Sequence, residues 1–269
     1  MRNRGHNKKL LSILASVTYL LMVVTNIAAN LIPLKGMTTR RISDKYSNLF
    51  APAGYTFLIW FLIYFLLGMY ILYQHQFNNR RPDNNDRVVR LVNLYFILAN
   101  LVNVLWVVLW HYEMIGLSLV AIIVLWIILL IIRTIITNRT SMSKREKQSI
   151  ELPFSVYFGW VTVAVMANFG TYFTYAGKIP FGFDDVKITV FLVIAASVLI
   201  GVNLVRFRDI AIGIIGLWAL IGVIVRQIIV LDSFNTSVVI SCGLGVGIVL
   251  VAAVYVLLGL RKRKRSRRR

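Results

Sequence analysis

Aromatic and amide side chains recur at helical spacing in three apolar stretches of this sequence. One stretch carries Pro153, Tyr157, Trp160, Ala164, Asn168 and Tyr172 at steps of 4, 3, 4, 4 and 4, which places them on one face of an α-helix. A second places Phe57, Trp60, Tyr64 and Gly68 at steps of 3, 4 and 4. A third places Asn103, Trp106 and Trp110 at steps of 3 and 4, with Asn100 one turn earlier. Flat aromatic walls with a few amide donors and no charge suit a planar, largely apolar ligand that stacks and accepts one or two hydrogen bonds. Packing between helices and an interfacial aromatic belt are the competing readings of the same pattern.

Other chemistries find few residues to work with. All ten acids fall in loops or at the ends of apolar runs, whereas ion-coupled transport usually shows a carboxylate or a basic partner at mid-membrane. Only Arg133 and Arg226 come close, both near run ends from which they can snorkel. The one lysine within a run, Lys187, lies at its very start and none is near mid-membrane, which argues against a retinal Schiff base. Asp83 and Asp86 have the spacing of a magnesium pair, but Arg81, Asn84, Asn85 and Arg87 around them read as a solvated loop. His75 and His111 are expected on opposite membrane faces, so they cannot share a haem iron. The single cysteine, Cys242, excludes an intrachain disulfide, a cysteine-rich metal site and an iron–sulfur cluster. Neither a cofactor nor a catalytic group is required by the sequence, since no acid–base dyad, activated nucleophile or metal cluster appears in it.

The elements that must carry the aromatic stripes follow from composition. Among 269 residues, 58% are hydrophobic and 15% charged, and the mean hydropathy is +0.75, which does not fit a water-soluble fold. Crossing the bilayer takes roughly 20 apolar residues. Runs near that length lie at 10–31, 53–75, 89–110, 114–136, 152–175, 186–205, 210–230 and 236–260. The fold class is therefore all-α integral membrane, with about eight transmembrane helices. The net charge of +20 is peripheral, with dense positive clusters in 2–9 and 261–269. Beside so apolar a body, these read as cytosolic anchors on anionic lipid headgroups and not as a nucleic-acid site. Basic segments at 76–88, 138–149 and Arg206/Arg208 predict both termini on the cytosolic side of a bacterial-type plasma membrane. The 32–52 segment, with Lys35, Arg40, Arg41 and Lys45, falls on the outside against the charge rule. The first run is too long for the apolar region of a signal peptide. In this orientation Trp60, Tyr64, Asn103, Trp106, Ala164 and Asn168 share the middle or outer part of the membrane, beneath the 32–52 segment.

These residues resemble the TspO/MBR family, the tryptophan-rich sensory proteins of bacteria and the mitochondrial translocator proteins. The family's entry to helix 2 reads here as Pro52-Ala53-Gly54-Tyr55-Thr56-Phe57, followed by Trp60 and Tyr64. Its Asn-x-x-Trp is matched by Asn103 and Trp106, and its helix 5 by Leu152-Pro153-Phe154, Trp160, Ala164 and Asn168. Departures from the family pattern are Ala53 for a second proline, Tyr55 for tryptophan, Phe154 for tyrosine, and Gly116-Leu117-Ser118 where some members carry a tryptophan.

The resemblance implies a five-helix ligand-binding bundle over 10–176, a further three-helix segment over 177–260, and basic termini at 1–9 and 261–269. The implied role is a membrane sensor or binding protein for porphyrin, haem or sterol-like lipid, a bound tetrapyrrole being the nearest thing to a cofactor. By the same resemblance Tyr55, Trp60, Tyr64, Asn103, Trp106, Trp160, Ala164 and Asn168 line the ligand cavity. The tryptophans would be stacking walls, Ala164 a small floor, the amides polar contacts and the helix 1–2 connection a lid. A transporter of amphipathic small molecules is the alternative, with eight helices providing a second bundle to move. Catalysis is limited to a tryptophan-dependent photodegradation of porphyrin, as suggested for some relatives. Partners are the bilayer and an apolar small molecule. A homodimer remains open, because the last three helices could cover the surface on which smaller relatives dimerise.

Overall fold

The computed structural model describes residues 2–32, 36–78, 86–139, 142–231 and 234–266. Lys35, Arg80, Arg81, Pro82, Asp83, Asn84, Asn85, Asp232 and 267–269 lie outside the described residues. Eight long helices follow in order: α1 Arg2–Leu31, α2 Ile59–Asn78, α3 Asp86–His111, α4 Ile115–Thr137, α5 Leu152–Ala176, α6 Asp185–Phe207, α7 Ile210–Val225 and α8 Thr236–Ser266. Among the described residues, eight helical spans are long and apolar enough to cross a membrane. The chain is a multi-pass, all-α membrane protein.

In a bilayer apolarity alone does not say which face of a helix is inside, since lipid tails are as apolar as leucine; shape and polarity decide. α4 illustrates this. It is apolar all round, yet Ile115, Ser118, Ile122, Leu125, Leu129 and Ile132 are buried while Leu117, Val120, Val124 and Ile127 are exposed. The buried stripe recurs at steps of three and four and includes Ser118, the one serine of that helix.

Punctuation is local and chemical. A left-handed Glu113 turns α3 into α4, and a left-handed Arg208 turns α6 into α7. Asp184 and Asp209 cap α6 and α7 by accepting backbone N–H bonds from Lys187 (2.8 Å) and Ala211 (3.0 Å). The bond from the Lys187 backbone is the first of several that hold the Asp184 carboxyl below its ordinary range. Ahead of α5, Ser143 and Glu146 form a reciprocal capping box, followed by a π-helical turn over Lys147–Glu151. That wide turn falls immediately before Pro153, whose ring lacks an N–H and crowds the carbonyl four residues back. The buried Arg133 of α4 donates to the Glu151 carbonyl at 3.4 Å, with the Glu151 carboxylate at 3.8 Å. Arg133 is thus paired in the interior, where the sequence suggests a snorkelling side chain.

The packing divides into two compact units: 1–42 with 58–158, and 43–57 with 159–269. In the first unit α3 packs on α1 and α4, and α1 on α2. In the second, α6, α7 and α8 pack on one another. Close approach there relies on glycine: a Cβ at Gly216 would come within 2.6 Å of Ile200 Cδ1, and one at Gly245 would overlap the Ser197 hydroxyl. The outer face of α8, with Val251, Val254 and Tyr255, is left exposed.

Candidate functional site

Four of the expected site residues, Trp60, Tyr64, Asn103 and Trp106, belong to the first unit, and there they form one cluster. The Trp60 ring stacks on Tyr64 (centroids 5.9 Å apart, planes at 25°) and on Trp106 (6.0 Å, 27°), and Trp106 continues to Trp110 (6.2 Å, 37°). A spacing of four on both α2 and α3 brings the four rings into a ladder running from one helix to the other. Tyr64, Trp106 and Trp110 are buried, whereas Trp60 is only half-buried. The Trp110 indole N–H donates to the Thr39 carbonyl at 3.2 Å, which pins the far end of the ladder to the start of the helix 1–2 connection.

A neutral hydrogen-bond relay runs beside these rings. The Asn26 amide of α1 donates to Asn103 Oδ1 at 2.7 Å, and Asn103 Nδ2 donates to the Tyr157 hydroxyl at 3.0 Å. Asn26 also donates to the Met22 carbonyl at 2.9 Å. Asn103 is fully buried, and the relay uses its oxygen and one of its two amide hydrogens, leaving one N–H for a further acceptor. Tyr157 meets Trp60 edge-on, with centroids 6.1 Å apart and planes at 68°, so relay and ladder touch. Asn26 is the residue that the stripe pattern misses. Its signal was an amide within the first apolar run, which reads alike whether it serves another helix or a ligand. His111 is buried, with Nδ1 2.8 Å from the Val107 carbonyl and Nε2 3.5 Å from the Thr39 hydroxyl.

The other four expected residues, Tyr55, Trp160, Ala164 and Asn168, belong to the second unit. Tyr55 packs edge-on against Trp218 of α7 (5.3 Å, 84°), and Trp160 against Phe57 (6.1 Å, 81°). Trp160 and Asn168 are buried and Ala164 half-buried; the Asn168 amide donates to the Ala164 carbonyl at 2.8 Å.

Residues 43–57, which include the later part of the expected 32–52 lid, are strapped down within this second unit. The Ala53 N–H donates to the Gly222 carbonyl (2.9 Å), the Trp218 indole to the Thr56 carbonyl (3.1 Å), and the Gln227 amide to the Leu49 carbonyl (2.9 Å). Arg226 is buried rather than snorkelling, and its guanidinium reaches Asp44 at 3.4 Å and Ser47 at 3.2 Å. A π-helical turn over Arg226–Val230 carries the last two of these donors. On the α5 side, Asn48 donates to the Thr171 hydroxyl at 3.3 Å and Tyr46 meets Tyr175 edge-on. Among the described residues no three His, Cys, Asp or Glu side chains gather as a metal site.

A family model described as TSPO-like protein matches residues 12–255, a stretch that includes all eight membrane helices apart from the ends of the first and last. No curated protein and no solved structure is similar enough to the chain to count as a match. Family membership supports a membrane binding or sensor protein in general terms. With the match extending over more than half of its length, the chain belongs to the TSPO-like protein family.

Proposed function

We propose that the protein senses or carries a planar, largely apolar molecule such as a porphyrin, haem or a sterol-like lipid. The observation that carries this reading is the half-buried Trp60, set in the ladder Tyr64–Trp60–Trp106–Trp110 beside the uncharged Asn26–Asn103–Tyr157 relay. Stacking on an indole suits a flat ring system, and the one uncommitted N–H of Asn103 suits a carbonyl or carboxylate at its rim. Trp60 and Trp106 are the stacking walls in this reading, with Tyr64 behind them. Tyr55, Trp160, Ala164 and Asn168 are ligand contacts by resemblance only, and are tested as a separate set. The basic clusters at 2–9 and 261–269 support cytosolic termini in a bacterial-type plasma membrane.

The test is a titration of the protein in lipid nanodiscs with protoporphyrin, followed by the Soret absorbance, which does not depend on how many tryptophans remain. Each ring contact is worth about 0.5–1.5 kcal/mol, so Trp60→Phe with Trp106→Phe should weaken binding about tenfold. Trp160→Phe reports on the second set independently. Binding unchanged in the Trp60/Trp106 double variant would return the ladder to plain packing.

A further inference from the structure

A second feature lies wholly within the second unit and shares no residue with the ladder. The end of α5, the turn at Pro180–Gly182 and the start of α6 line a half-open cavity of about 590 Å³. Phe169 and Phe173 form one wall, stacked with centroids 6.1 Å apart, Phe181 and Phe183 form another at 5.8 Å, and Phe191 of α6 contributes a fifth ring. The remaining lining residues are also apolar, so no side-chain nitrogen or oxygen faces the space. The volume falls in the range of small-molecule sites.

Two arguments identify what such a cavity selects. In a bilayer, burying an apolar group gains little, because the lipid left behind is equally apolar. An acyl chain therefore has no reason to prefer this space, whereas an aromatic molecule gains edge and offset contacts with five phenyl rings that lipid tails cannot offer. Absence of any polar partner rules against a charged or carboxylate-bearing ligand. Phe181 supplies the second argument. It has left-handed backbone angles (φ 61°, ψ 15°), which disfavour any residue with a Cβ, and its ring is 87% exposed. A strained backbone that presents a large ring with little burial in return marks a functional position.

We propose that this cavity binds an uncharged, flat aromatic or polycyclic molecule, with Phe181 as the ring that closes on it. The site is independent of the ligand proposed for the first unit, whose relay suits a polar rim that this cavity cannot accommodate.

The experiment uses the full chain in nanodiscs and two photoreactive probes, a naphthyl diazirine and a phospholipid with an acyl-chain diazirine, with labelled peptides mapped by mass spectrometry. The naphthyl probe should label residues 166–195 saturably, and excess naphthalene should displace it. Phe181→Gly should weaken that labelling about fivefold while leaving thermal unfolding unchanged or raised, since glycine accepts the left-handed angles. Phe173→Leu, which preserves bulk but not the ring, should weaken it similarly. Equal labelling by the phospholipid that naphthalene does not displace would make this a lipid-filled crevice and overturn the proposal. So would the absence of saturable labelling, or a Phe181→Gly variant that binds as before.

Discussion

Asn103 carries the largest consequence for a single side chain. It takes a hydrogen bond from Asn26 on α1 and gives one to Tyr157 in the first turns of α5, so α1, α3 and the start of α5 meet at one amide within the first unit. Inside a bilayer such interhelical bonds are worth about 0.6 kcal/mol on average and up to about 1.7 kcal/mol, because the unfolded helices also find partners. Asn103→Leu removes both bonds and leaves the Asn26 amide short of an acceptor. A loss of about 1–2 kcal/mol in unfolding free energy is expected, read by titration with denaturing detergent. Tyr157→Phe removes only the second bond and should cost less than 1 kcal/mol. In a double-mutant cycle the two changes should couple, because they share a bond; strict additivity would mean that the relay is geometric coincidence. Trp60, whose half-buried ring meets Tyr157 edge-on, joins this relay to the ladder.

At the scale of elements, the segment 43–57 is where sequence and structure diverge most usefully. The eight spans are legible because each needs a continuous apolar run, and the expected 210–230 and 236–260 coincide with the observed Ile210–Val230 and Thr236–Leu260. The stripes of Trp60, Tyr64 and Trp106 are legible for a similar reason, as helical periodicity survives in one dimension. The strap is not. Its bonds join Asp44 to Arg226 and Leu49 to Gln227, pairs separated by 182 and 178 positions, and no local pattern announces them. From sequence the 32–52 connection reads as a charged lid, while the structure ties its later part, together with 53–57, to Trp218, Gly222, Arg226 and Gln227 through backbone, indole, guanidinium and amide hydrogen bonds. Gly222 tests the strap most directly. A Cβ there would overlap the Thr56 hydroxyl and come within 3.1 Å of Pro52 Cβ. Gly222→Ala adds one methyl to a well-packed contact and should cost about 1–3 kcal/mol. Hydrogen exchange should rise selectively in 44–57, with α3 and α4 unaffected; uniform protection across the variant would show that the segment is held by something else.

For the whole molecule, the question is what helices α6–α8 are for. Two observations bear on it. The family model runs to residue 255, and residues 43–57 and 159–176 belong to the same compact unit as α6–α8. The last three helices thus supply partners to a segment near the beginning of the chain: Trp218, Gly222, Arg226 and Gln227 all lie beyond residue 176. A chain ending at residue 177 keeps every residue of the ladder and relay, because these lie within 1–158. It loses every α7 partner of the strap. Such a truncation should retain the near-ultraviolet dichroism of stacked indoles, while protease cleaves it rapidly within 43–57, a region that full-length protein in the same nanodiscs should protect. The two readouts separate the possibilities. If the truncated chain kept the segment protected, the last three helices would be dispensable additions. If it lost the indole signal as well, the first unit would depend on the second for its own fold, and the ladder could not be studied without α6–α8.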